Sequence, residues 1–177
     1  MKRALPLLSL WLVCAAAALG VQGSAWINYI SAEGHYGVSL PANPVEGTQE
    51  SATAEGTKFT QYKATLVDGN TVFLIGYFDH VPGTVFSLDK ARDGMVAALK
   101  GTLLTETSIS IAGNPGRELK VLTKGEGGTE YLLRTRYYDV DKRVYVIQFI
   151  YPKADDDEVI AAKATKYFES FQIIKNQ

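Results

Sequence analysis

Cysteine is almost missing from this 177-residue chain, with Cys14 the single example, and histidine is scarce, with His35 and His80 alone. A cysteine-free mature domain has no disulfide framework, thiolate nucleophile or thiolate-bound metal, so its stability has to come from its core. Two histidines leave little room for imidazole chemistry. No G-x-S-x-G occurs, which removes the strand-to-helix elbow of a serine hydrolase. A surplus of cations is lacking as well: 18 Lys and Arg stand against 19 Asp and Glu, for a net charge of −1. Such a balance cannot neutralise a run of phosphates, and it argues against a nucleic-acid partner.

What is present is the usage of a folded protein, 46% hydrophobic and 21% charged. The chain opens on Met1-Lys2-Arg3 and then runs from Ala4 to Leu19 without a charge, reaching the small residues Gly23-Ser24-Ala25. A positive start, an apolar stretch and small residues before a cut are the parts of a secretory signal peptide. Residues 1–25 are therefore expected to be removed after Ala25, with Gly20 the second choice, leaving a secreted or periplasmic domain over 26–177. The alternative is an uncleaved membrane anchor, since the apolar stretch approaches the about 20 residues that span a bilayer. Pro6 and the alanine-rich second half weaken that alternative. Cys14 follows Trp11-Leu12-Val13, a poor setting for lipidation because the residue before the cysteine is branched.

The mature part reads mainly as strands. Residues 26–30 and 36–40 are short apolar stretches, and Pro41 and Pro44 predict a loop after them. Residues 57–67 and 71–79 flank Asp68-Gly69-Asn70, a tight-turn signature, and form a hairpin. Ser87 is a good N-cap, and Leu88, Ala91, Met95, Ala98 and Leu99 trace one face of a helix that Gly101 is expected to end. Four further strand-like runs, at 102–111, 117–123, 129–139 and 143–151, are joined by short turns and predict an antiparallel meander. A final helix opens near Asp155 to Glu158 and carries Ile160, Ala164, Tyr167, Phe168 and Phe171 on one face, and 172–174 can add a last short strand. Residues 71–79 and 143–151 are apolar on both parities, so they need cover above and below. The expected fold is α+β: one antiparallel sheet sandwiched between helices.

Three features coincide in order: Tyr36-Gly37-Val38-Ser39-Leu40-Pro41-Ala42-Asn43-Pro44, Gly113-Asn114-Pro115-Gly116-Arg117-Glu118, and the terminal Tyr167-Phe168-Glu169-Ser170-Phe171. Together they resemble the PsbP-like superfamily, and in particular its bacterial secreted branch. The resemblance implies an α/β/α sandwich over nearly all of 26–177. It also implies a domain that acts by docking on partner proteins rather than by catalysis, and it transfers no functional residue.

Candidate chemistry is sparse. Asp79-His80 ends a strand, but neighbouring strand residues point to opposite faces and cannot form a dyad. Asp139, Asp141 and the run Asp155-Asp156-Asp157-Glu158 are oxygen donors suited to Ca²⁺, although their spacing fits no EF-hand loop and a helix N-terminus favours such charges anyway. The glycines at 113–116 and 125–128 follow the order of hairpin turns, not of a phosphate loop, so no cofactor is expected. Tyr131, Tyr137, Tyr138, Tyr145 and Tyr151 interleave with Arg134, Arg136 and Arg143, and tyrosine and arginine are enriched where proteins touch.

These observations predict an exported, non-enzymatic binding domain whose partner is a protein or a cell-envelope component. Arg134, Arg136, Tyr137 and Tyr138 are the candidate contact residues. The alternative is a small-ligand or metal-assisted hydrolytic protein using Asp79, His80 and the acidic turns.

Overall fold

The computed structural model describes residues 25–53 and 56–174. The expected signal peptide thus lies, apart from Ala25, outside the described residues. Among those that are described, no helix is long and apolar enough to cross a membrane.

The described residues form ten strands and two α-helices: β1 (Ile27–Ser31), β2 (Tyr36–Leu40), β3 (Val45–Ala52), β4 (Lys58–Asp68), β5 (Thr71–Asp79), α1 (Leu88–Ala98), β6 (Thr102–Ile111), β7 (Asn114–Lys124), β8 (Glu130–Val140), β9 (Arg143–Pro152), α2 (Glu158–Glu169) and β10 (Gln172–Ile173). A seven-stranded antiparallel sheet has the order β3-β4-β5-β9-β8-β7-β6, and a three-stranded one the order β1-β2-β10. The expected α+β sandwich is present. Helix α1 covers one face of the large sheet through Met95 and Leu99, which pack with Leu119, Val121, Leu133, Tyr137 and Val144. The other face is covered jointly by α2 and the small sheet, where Tyr36, Val38 and Leu40 join Tyr167 and Phe168 over Phe73, Ile147 and Phe149. Both parities of β5 and β9 are apolar because each points into a different core.

Three local expectations need correction. Residues 45–52 form the edge strand β3 and not a loop, and they gave no signal because they are largely exposed and carry no apolar alternation. The turn before β7 is shorter than expected: Ala112 and Gly113 alone turn the chain, with φ of 49° and 82°. Pro115 then lies in β7 ahead of the stretch paired to β8, which starts at Gly116, so its missing N–H removes no bond of that ladder. Helix α1 ends on Lys100, whose φ is 47°. The Lys100 and Gly101 N–H groups donate to the carbonyls of Ala97 at 3.1 Å and Val96 at 3.0 Å, a Schellman closure. Gly101 serves packing instead, since a Cβ there would sit 2.7 Å from Val121 Cγ1.

The other helix signals stand as read. Ser87 Oγ accepts from the Lys90 N–H at 3.4 Å to start α1, and Asp157 Oδ1 accepts from the Ile160 N–H at 2.9 Å to start α2.

Candidate functional site

Strand β8 divides the four candidate contact residues three to one. Leu133, Thr135 and Tyr137 point toward α1, whereas Leu132, Arg134, Arg136 and Tyr138 point toward α2, because side chains alternate along a strand. Tyr137 is 7% exposed and Tyr138 is 5% exposed, each in a different core. Burial pushes both phenols above their ordinary pKa.

Tyr138 belongs to a row that crosses the whole large sheet in register: Thr48, Tyr62, Tyr77, Tyr145, Tyr138, Gly116 and Ile109. Tyr62 stacks on Tyr77 at 4.8 Å, and Tyr138 stacks on Phe171 at 5.8 Å. Gly116 has no side chain because a Cβ would meet the Tyr137 carbonyl oxygen at 2.5 Å and the Tyr138 ring at 2.6 Å. Tyr137, Tyr138, Tyr145 and Tyr151 are therefore interior packing, and the hydroxyls of Tyr145 and Tyr151 donate to the Gly34 carbonyl at 2.9 Å and to Asp156 at 2.8 Å. The expected surface of mixed tyrosine and arginine thus divides: Tyr137, Tyr138, Tyr145 and Tyr151 go inside, and Arg134 and Arg136 stay half-exposed.

Arg134 and Arg136 are brought together. Glu118 on β7 accepts from Arg134 at 2.8 Å with one oxygen and from Arg136 at 2.7 Å with the other. Arg136 also donates to Glu169 at 2.9 Å, and both guanidinium groups lie over the Phe168 ring, at 5.3 and 4.9 Å from its centroid. Burial by itself would raise the Glu118 pKa, but the two arginine hydrogen bonds outweigh it and hold the carboxyl below its ordinary range. Next to them, Lys120 donates to Asp156 at 3.0 Å, and Asp156 accepts from Tyr151 at 2.8 Å. These side chains form two cross-strand rows, Thr105–Lys120–Arg134 and Thr107–Glu118–Arg136. Thr105 and Thr107 are exposed and the four charged residues are half-buried, so this part of the sheet lies open beside α2.

Glu118 and Phe168 were not among the residues expected to matter here. The signal for Glu118 was available: folding the β7–β8 hairpin about Gly127 puts it directly opposite Arg136.

A second feature is a cleft of about 800 Å³ at one end of the sheet, lined in part by His35, Asp79, His80, Asp141, Lys142 and Arg143. Asp79 and His80 diverge, as their adjacency requires. Arg143 donates to Asp79 at 2.7 and 3.2 Å and to the Glu33 carbonyl at 2.7 Å, with its guanidinium 4.3 Å from the Tyr77 ring centroid. His80 turns to the α1 side, where Nε2 lies 2.8 Å from Asp139 Oδ1 and the ring stacks on Phe86 at 5.5 Å. The Asp139 partner lies 59 residues away in sequence, beyond the reach of any motif.

The acidic candidates separate. Asp139 goes to His80, Asp156 to Lys120 and Tyr151, and Asp157 caps α2. Among the described residues, no group of three histidine or carboxylate side chains is placed to hold a metal ion.

No protein-family profile and no curated protein matches the sequence. Solved structures do resemble it in shape. The solution structure of the cyanobacterial PsbP of Synechocystis sp. PCC 6803 superposes with a TM-score of 0.57 at 11% identity, over 89% of this chain and 98% of that one. The fold is PsbP-like. A Pseudomonas aeruginosa protein of unknown function, PA94, gives a TM-score of 0.45 at 16% identity, over 81% of this chain and 95% of its own. A Bacteroides thetaiotaomicron structure gives 0.47 at 16% identity, and this chain spans 48% of its length.

Proposed function

We propose that residues 26–177, freed from a signal peptide at 1–25, form an exported, non-enzymatic accessory domain that docks on a protein partner of the cell envelope. The observation that carries this reading is the open sheet face beside α2. It extends over β6 and β7 up to β8, where it presents Lys120, Arg134 and Arg136, the two arginines lying over the buried Phe168 ring. Arginine side chains held rigid against a sheet supply contact area and directional donors at low entropic cost. A PsbP-like fold agrees with a domain that works by binding.

The hydrolytic alternative draws on the contact of Asp139 with His80, which lines the cleft. An orienting carboxylate beside a histidine is half of a nucleophile-activating arrangement, yet no serine, threonine or cysteine is among the residues lining that cleft. Asp79, the other half of the sequence-based idea, is held by Arg143. Purified protein is expected to turn over neither aryl esters nor aryl phosphates, and a turnover abolished by His80→Ala would restore the alternative.

The docking reading is tested by placing a photo-crosslinking amino acid at Lys120 and, separately, at Val159, which is 75% exposed on the outer side of α2. In living cells, position 120 is expected to yield one discrete heavier adduct and position 159 none. Adducts of equal yield from both positions, or from neither, would overturn the assignment of this face.

A further inference from the structure

The large sheet ends in two unlike edges. On β3, Glu46 and Glu50 bring charge and Gly47 weakens pairing, the usual means of discouraging strand addition. On the opposite edge, β6 is ten residues long, Thr-Leu-Leu-Thr-Glu-Thr-Ser-Ile-Ser-Ile, and has no proline, glycine or lysine. Its one charge, Glu106, is neutralised within the same chain by Arg92 at 2.8 Å and Arg117 at 3.1 Å. Residues 104–108 are exposed along a strand that, among the described residues, pairs only with β7, so a row of backbone donors and acceptors faces outward. The register breaks between Leu103 and Thr105, which confines the irregularity to one end and leaves Thr105–Ile111 in unbroken register with β7.

We propose that β6 pairs with β6 of a second copy of this chain, antiparallel about a twofold axis at Thr107, to make one continuous sheet across a dimer. Such an axis stands perpendicular to the sheet, so each face of one copy continues into the same face of the other. The strand is self-complementary in this register. Thr107 meets the second copy's Thr107 and Thr105 meets Ile109 on the α2 side, and Glu106 meets Ser108 on the α1 side, the two members of each pair sharing a face. Threonine pairs and β-branched pairs of this kind favour a ladder, and no like charges fall opposite each other. Leu104, 46% exposed, lies over the far end of the added strand.

The helices leave room for this arrangement. Helix α1 packs on β7, whose axis lies about 7 Å from the twofold, given strand spacings of about 4.8 Å. The two α1 helices then lie about 14 Å apart, farther than the 8–10 Å of helices in contact, so they do not clash.

The test uses protein purified from the envelope fraction of cells expressing the full sequence. Sedimentation velocity over the micromolar range is expected to show twice the monomer mass. Thr107→Lys sets two ammonium groups face to face on the axis and is expected to give monomers with unchanged far-UV circular dichroism. Thr48→Lys, on β3, is expected to remain dimeric. Thr107→Cys supplies a positive readout. Directly opposed residues of an antiparallel pair have Cα atoms about 4.5 or 5.5 Å apart, both within disulfide range. Mild oxidation should therefore link the copies, while Thr48→Cys should not link. A wild-type monomer throughout, a Thr107→Lys dimer, or equal linking at positions 48 and 107 would each overturn the proposal.

Discussion

Single side chains decide how the arginine pair on β8 behaves. Glu118 titrates lower in the folded protein than in the unfolded chain, because Arg134 and Arg136 bond its charged form despite its burial. Its contribution is thus complete above the unfolded carboxyl value of about 4.3 and is lost as pH falls through the lower folded value. Denaturation midpoints measured from neutral pH into acid should show a smaller acid loss in Glu118→Gln than in the wild type. At neutral pH the same variant should be less stable by about 1–3 kcal/mol, the cost of removing the charge and turning one of the two acceptor oxygens into an amide donor facing a partly buried guanidinium. Gly116→Ala makes a steric prediction of similar size. A Cβ placed 2.5 Å from the Tyr137 carbonyl oxygen forces backbone movement in the middle of the tyrosine row, and about 1–3 kcal/mol should disappear from urea unfolding.

Helices and strands differ in how well the sequence announced them. The two helices were legible because N-caps and apolar spacing are local signals, and Asp157→Ala should lower stability by about 1 kcal/mol in a thermal melt by removing the acceptor for the Ile160 N–H. Strands β5 and β9 were legible because burial on both faces leaves apolar residues on both parities. Strand β3 was silent, since an exposed edge strand needs no apolar pattern and Pro41 and Pro44 precede it without interrupting it. The candidate site was legible only in part. Arg134 and Arg136 stand two apart on a strand and so share a face, which the sequence shows directly. That Tyr137 and Tyr138 both go inward follows from cover on both sides of β8, and the pairing of His80 with Asp139 follows from bringing the end of β5 beside β8, with β9 between them. Neither fact is local in sequence.

Taken together, the chain is a sheet clad on one side by α1 and on the other by α2 and the small sheet, with the β6–β7 portion of the α2 side left open. Without disulfides in the proposed mature domain, the two cores carry its stability. Phe149 is fully buried between β2, α2 and the large sheet, and Phe149→Ala should cost about 3–5 kcal/mol in urea, whereas Val159→Ala should stay within about 0.5 kcal/mol. Under the proposed docking function, the open face is the working surface and the charged cleft at the sheet end is structural. The most direct test compares the yield of the crosslinked adduct from position 120 in His80→Ala with that in Arg134→Ser/Arg136→Ser, each confirmed as folded by circular dichroism. Undiminished adduct in His80→Ala and a loss of about tenfold, equivalent to about 1.4 kcal/mol, in the double arginine variant is the predicted result. Loss of the adduct in His80→Ala with full yield in the arginine variant would contradict it.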